Sequence, residues 1–295
     1  MNIPGKKILF TGVSGFVGRH LANKSRPDLE LFGTYHRNPV DLPGVVTYAL
    51  DITETEAFVD LLKEIQPDAV VHLAALSNPN YCENHPEKCK TINTSATFHL
   101  AGACRKSKVP FIFVSTDLVF DGKKPPYQET DATNGIMTYG KSKAEAEHLL
   151  HLMYPGEMTI ARLPLMYGWS TDAPNFMTNW VQEMRKGNAI KAFTDEYRTT
   201  AWAGDVIDGL ILLAEQGQKG IWHFGGPERQ SRYEFAVQLA KQFKLDPALV
   251  IPVLQKDVEM AAARPADVSM DSQKATELGY DPKVAGEVLG KLALL

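Results

Sequence analysis

The chain has 295 residues, 44% of them hydrophobic and 22% charged, with a formal net charge of −4. That length holds one large α/β unit, or a full domain with a smaller cap. The charge excludes the dense positive field that nucleic acid or an anionic membrane surface requires, and leaves room for a locally basic pocket around a small phosphate-bearing molecule.

In chain order, short β-branched runs alternate with amphipathic helical stretches, the pattern of a parallel sheet covered on both faces. Lys7–Thr11 reads as the first strand and Phe16–Asn23 as the first helix, followed by strands at Leu29–Tyr35 and Val45–Leu50. Thr55–Ile65 is a helix with Phe58, Leu61, Leu62 and Ile65 on one face, and Asp68–Leu73 is the fourth strand. A long helix, Pro86–Lys106, leads to an apolar fifth strand, Phe111–Ser115; Tyr139–Leu152 is helical and Met158–Leu163 is the sixth strand. This order predicts a doubly wound Rossmann-type sheet with right-handed crossovers, in which ligands bind beyond the carboxyl ends of the strands.

After Leu163 the rhythm breaks at Pro164, Gly168, Trp169, Pro174 and Trp180. Phe176–Arg185 and Tyr233–Phe243 read as helices, while Asp205–Glu215 and Ile221–Phe224 read as a helix and strand able to return to the main sheet. Residues 1–165 are therefore expected to form a dinucleotide-binding domain, joined by a return segment near 203–226, and residues 166–295 mainly a substrate-binding lobe.

Four constellations carry chemistry. Gly12, Gly15 and Gly18 follow the first strand at G-x-x-G-x-x-G spacing, and with Ser14, Phe16 and Val17 suit a backbone cradle for a pyrophosphate. His36 and Arg37 end the second strand where many NAD-binding folds place an acid; a permanent cation there suits a 2′-phosphate, hence NADP(H) over NAD(H). Tyr139 and Lys143 lie four apart on a helix and so share a face, where an ammonium, together with a positively charged nicotinamide ring, should lower the phenol's pKa toward the working range for proton transfer. Ser115, Thr116 and Asp117 close the fifth strand, where a hydroxyl can stabilise charge developing on a substrate carbonyl.

Met1–Phe10 runs into a strand too early for a signal peptide's apolar stretch, and no run of about 18 apolar residues is present. The three cysteines, Cys82, Cys89 and Cys104, are an odd, sparse set that suits a reducing compartment, so a cytoplasmic location is expected. His148 with His151, and Cys82 with Cys89, bring no further ligands, whereas zinc needs three or four; no metal is expected.

Together these pieces resemble the extended short-chain dehydrogenase/reductase superfamily, and within it most closely the dTDP-4-dehydrorhamnose reductases. The general markers are the glycine turn, Leu73-Ala74-Ala75, Asn93 and the Tyr139/Lys143 pair; more specific are Ser115 to Gly122, Glu129-Thr130-Asp131 and Arg264 to Asp271. The resemblance implies a catalytic set of Thr116, Tyr139 and Lys143, with Asn93 organising a relay water. It also implies that Asp51 and Ile52 border the adenine, that Leu73, Ala74, Ala75 and Ser115 line the cofactor groove, and that Arg162 is structural. Asp117 and Arg264 fall on the substrate side, Arg264 suiting a nucleotide diphosphate. Departures at Leu118, Asn134-Gly135, Tyr197 to Trp202 and Met270 lie where substrate would sit.

The implied activity is NADPH-dependent reduction of a 4-keto sugar nucleotide. A cofactor-retaining epimerase and a non-catalytic NADP-binding subunit, like the regulatory β-subunit of methionine adenosyltransferase, stay open beside it. A 4,6-dehydratase fits less well, because Leu118 stands where those enzymes carry an acid. No nucleic-acid or membrane partner is expected, and a homodimer is compatible with the sequence.

Overall fold

The computed structural model describes residues 5–22, 24–173 and 175–294. Strands β1 (Lys6–Thr11), β2 (Leu29–Tyr35), β3 (Val45–Ala49), β4 (Ala69–His72), β5 (Phe111–Thr116) and β6 (Thr159–Leu163) join Gly220–His223 in one seven-stranded sheet. All pairings in it are parallel, and the order from one edge is Gly220–His223, β6, β5, β4, β1, β2, β3. The order reverses between β1 and β4, where Thr11 lies opposite His72. A doubly wound sheet opens its ligand crevice at that switch point.

Alternation along the strands divides the core. Ile8 and Phe10 face one side with Val71, Ile112 and Val114, covered by helix Ala203–Gln216 through Val206, Ile207 and Leu210. Leu9, Val70, Phe111 and Phe113 face the other side. There they meet helix α1 (Thr55–Ile65) through Phe58, Leu61, Leu62 and Ile65, the face read from the sequence. The return segment is thus a working part of the sheet: its helix covers one face, and its strand pairs Trp222 with Ala161 on β6.

Two predicted helices come out differently. The first, expected over Phe16–Asn23, is only a 3₁₀ turn at Gly18–Leu21, and Asn23 lies outside the described residues. Gly18, inside the expected span, lowers helix propensity by about 1 kcal/mol, and a four-residue turn cannot nucleate further. The long helix is broken into α2 (Pro79–Asn84), α3 (Pro86–Lys90), a π-helical stretch Thr91–Ala96 and α4 (Thr97–Lys106). Asn93 sits inside the π-helical stretch, a distortion that often marks functional sites.

Stretches of residues 166–294 outside the return segment build a separate, second-lobe hydrophobic cluster, while Ala275 and Tyr280 pack back onto the sheet's core. Helix α6 (Phe176–Arg185) contributes Met177, Val181 and Met184, and a helix at Arg232–Gln242 contributes Phe235 and Leu239. Asn175 caps α6, its Oδ1 accepting from the amides of Met177 and Thr178 at 2.8 and 3.2 Å. Ser231 and Glu234 form a reciprocal capping box at the start of Arg232–Gln242. No helix among the described residues is long and apolar enough to cross a membrane.

Candidate active site

Between the sheet's carboxyl edge and the second cluster lies a cavity of about 1030 Å³. Gly12, Ser14, Gly15, Phe16, Val17 and Gly18 line it from the loop after β1, and His36, Arg37, Asp51 and Ile52 from the ends of β2 and β3. Leu73, Ala74 and Ala75 follow β4; Ser115, Thr116 and Asp117 end β5; Tyr139 and Lys143 come from helix α5 (Thr138–Met153); Arg264 closes the far wall. At the floor, Gly12 has φ +74°, and a β-carbon on it would stand 2.7 Å from the Ala74 Cα. Only glycine permits both that backbone and that approach.

Asn93 alone among the predicted site residues does not line the cavity. It is fully buried one layer behind, where its Oδ1 accepts from the Leu76 amide at 2.8 Å. Its Nδ2 donates to the Leu76 carbonyl at 3.0 Å and to Ser142 Oγ at 3.1 Å. Ser115 reaches the cavity, but its hydroxyl turns away to donate to Glu147. Strand alternation puts the Ser115 side chain behind the sheet and leaves Thr116 as the hydroxyl facing the site. Glu147 is held in turn by Arg162, with contacts of 2.7 and 3.1 Å.

Thr116 Oγ1 accepts from the Leu118 amide at 3.2 Å and donates to Asp117 Oδ1 at 3.1 Å. The start of α5 is fixed by Glu83, whose carboxylate accepts from the Thr138 amide at 3.0 Å. Lys143 is buried with its Nζ 4.0 Å from the centre of the Phe113 ring. Burial pushes the Lys143 ammonium down to about 7, with the Glu147 carboxylate pulling the other way. Burial, and then the Asp117 charge, push the Tyr139 phenol up rather than down. The expected lowering of Tyr139 by Lys143 is therefore absent: burial disfavours the charged form of both groups, and the cation is itself weakened.

The sequence reading missed the cavity's charged wall. Glu196, Arg198 and Arg232 line it, as do Asn80, Lys88, Asn175 and Phe176. Arg198 is buried and donates to Glu196 at 3.2 Å, while its Nη1 lies 3.6 Å from Asp117 Oδ2. Neither of those two facing atoms has a hydrogen-bond partner. Arg232 lies 3.9 Å over Phe176 and 4.6 Å over Trp180, its Nη1 also unpartnered. Burial raises Asp117 and lowers Arg264 and Arg232, the last to about 10.

At the ends of β2 and β3, His36 Nε2 approaches Asp51 Oδ2 at 3.3 Å, and Arg37 is left exposed on the rim. Among the described residues no three His, Cys, Asp or Glu side chains converge as metal ligands.

A profile of the family described as RmlD substrate binding domain matches residues 6–285. The chain is 31% identical over 277 residues to a probable low-salt glycan biosynthesis reductase, Agl14, from Haloferax volcanii, covering 91% of each chain. It is 28% identical over 289 residues to methionine adenosyltransferase 2 subunit beta from Bos taurus, covering 95% of this chain and 84% of that one. Among solved structures, dTDP-4-dehydrorhamnose reductase from Bacillus anthracis, in complex with NADP, superposes with a TM-score of 0.86 at 21% identity, covering 98% and 99%.

Proposed function

The chain belongs to the RmlD substrate binding domain family, and from that premise we propose that it is an NADPH-dependent reductase of a 4-keto sugar nucleotide. The observation that carries this reading is the meeting of Thr116, Tyr139 and Lys143 beyond the carboxyl end of β5, in one cavity with the glycine turn and a cationic far wall. The cavity volume suits a dinucleotide end to end with a second nucleotide-linked ligand, being at the upper limit of the usual 300–1,000 Å³ range for single-ligand sites.

The residues present fit a nicotinamide dinucleotide. Gly12 to Gly18 would cradle the pyrophosphate, Asp51 and Ile52 would border the adenine, and Arg37 would pair with a 2′-phosphate. Leu73, Ala74, Ala75 and the Ser115 backbone would line the groove. When bound, the nicotinamide supplies the hydride.

The chain's own residues manage the oxygen. Tyr139, which burial keeps protonated at rest, donates its phenolic proton to the carbonyl oxygen as charge develops there. Thr116 orients the same oxygen. Lys143 contributes positive charge while protonated, and Asn93 holds Ser142 and the Leu76 backbone in place from behind. Asp117 and Arg198, whose facing atoms lie 3.6 Å apart, form the polar wall beside the sugar. Arg264 and Arg232 supply cations for a diphosphate, so residues 166–295, apart from the return segment, serve as the substrate lobe. A cytoplasmic setting and a homodimer complete this reading.

The likeness to methionine adenosyltransferase 2 subunit beta over 95% of the chain favours a second reading, an NADP-binding regulatory subunit. The test is NADPH oxidation against a panel of nucleotide-linked 4-keto sugars. Oxidation with stoichiometric release of NADP+ is expected, and product formed without release would mark an epimerase instead. A stable hetero-complex purified from the native source with no ketone reduction would replace the reductase by the subunit.

A further inference from the structure

We propose that Cys82 and Cys89 form an oxidisable dithiol, a modification site for peroxide-class oxidants set directly beneath the Tyr139 helix. Cys82 lies in α2 and Cys89 in α3, and the chain turns between them at His85 (φ −136°, ψ 61°). That turn brings the two Sγ atoms to 2.7 Å, both fully buried. Cys82 Sγ donates to the Leu76 carbonyl at 3.3 Å. Cys89 Sγ lies 3.3 Å from Asn93 Nδ2 and 3.4 Å from Ser142 Oγ, and Ser142 donates to the Tyr139 carbonyl at 2.7 Å. The pair thus shares a packed cluster with Tyr139, Met137 and Leu118 without lining the cavity.

No metal role competes for these sulfurs among the described residues. Cys104 is buried alone in the apolar layer of α4, and so serves as an internal control. In the modification, one thiolate attacks the peroxide O–O bond, giving a sulfenic acid and water. The second sulfur then attacks the sulfenic sulfur; the S–S bond forms, the S–O bond breaks and a second water leaves. Two thiol hydrogens and two electrons pass to the peroxide. Burial, with Cys89 adding to it, pushes the Cys82 thiol up, so the reaction proceeds through transient opening of the two short helices.

The bond removes both S–H donors and draws the sulfurs to about 2.05 Å, displacing the layer on which Tyr139 and Ser142 rest. A shift of about 1 Å in a reacting group costs about 100-fold in rate. This consequence rests on the reductase reading; the bond itself does not.

The test treats the reduced full chain with excess hydrogen peroxide, then counts thiols after denaturation and maps peptides. Trypsin cuts after Lys88, between the two cysteines, so a bridge appears as a linked pair. Free thiols should fall from three to one, with Cys104 still free. Turnover should drop at least tenfold, recover with dithiothreitol, and be insensitive to peroxide in Cys89→Ala, with Cys82→Ala as the second variant. Three remaining thiols, separately over-oxidised cysteines or a bridge between chains would overturn the site. If the unmodified chain turns over no ketone, the thiol count still decides the site, and NADPH affinity by fluorescence takes the place of turnover. An intramolecular bridge that leaves both turnover and affinity unchanged would overturn the coupling to Tyr139.

Discussion

The Leu118 carbonyl oxygen sits 2.0 Å from where a β-carbon on Gly140 would stand, so the turn after β5 and the first turn of α5 touch backbone to backbone. That contact sets how closely Thr116 and Tyr139 approach one another. A Gly140→Ala chain must move one of the two segments, since backbone cannot swing aside as a side chain can. We expect kcat to fall about 10- to 100-fold while the NADPH dissociation constant changes less than about threefold. An unchanged kcat would show that the contact does not govern the site.

Arg37 is the exposed cation at the adenosine end. Replacing it by serine should lower kcat/KM for NADPH by about 10- to 100-fold, the range for losing a charge-assisted hydrogen bond. The value for NADH should move less than about twofold. Equal losses with both cofactors would remove Arg37 from the 2′-phosphate.

Lys143 is held at about 7 by burial. A lysine whose pKa is lowered in the fold keeps its charge only below that value. The part of kcat/KM that depends on the ammonium should therefore decline as pH rises through about 7. In Lys143→Met that limb should vanish along with most activity. An unshifted limb in the variant would assign it to another group.

His72 and His223 are both buried, and burial lowers each from 6.5 to about 3. Folding favours their neutral forms. The stability they contribute is complete above about 6.5 and is lost progressively as pH falls toward 3. Between those limits each should add a slope of about 1.4 kcal/mol per pH unit. His72→Gln, which can still bond Thr11 and Thr97, should flatten the acid limb of urea-unfolding stability by one proton. An identical slope would contradict the assignment.

Glu147 and Arg162 are a buried pair, 6% and 2% exposed, joined at 2.7 Å. Removing one partner strands the other charge in the core. Glu147→Gln should cost about 3–5 kcal/mol in urea unfolding, whereas a paired Glu147→Gln, Arg162→Met chain should recover part of that loss. A single-variant cost below about 1 kcal/mol would mean that Arg162 finds another partner.

The sheet was legible because alternation and short apolar runs report directly on strands buried on both faces, as at Ile8 to Phe10 and Phe111 to Phe113. The cavity-lining glycines and Tyr139 were legible because each has a local spacing with a physical reason. Asn93 and Ser115 are different: their positions in the chain were clear, but which way their side chains turn depends on a π-helical distortion and on strand pleat. Arg198 and Arg232 were illegible as site residues, because only tertiary packing brings those elements opposite Asp117 and Phe176. The share of the Tyr139 shift owed to Lys143 was hidden for a related reason: a helix face shows that an ammonium is near, not that it too is desolvated, and Lys143 by itself leaves the phenol raised.

The strand Gly220–His223 returns to the sheet after the chain has already built part of the second cluster, so the two halves are interleaved. Severing the chain after residue 165 would strip β6 of a neighbour and leave a row of bare amides and carbonyls, an invitation to self-association. The part of the chain after residue 165 is accordingly not a cassette that can be exchanged among relatives as one continuous block. A chimera that is to fold must keep 203–226 with the recipient scaffold and graft the flanking stretches on either side.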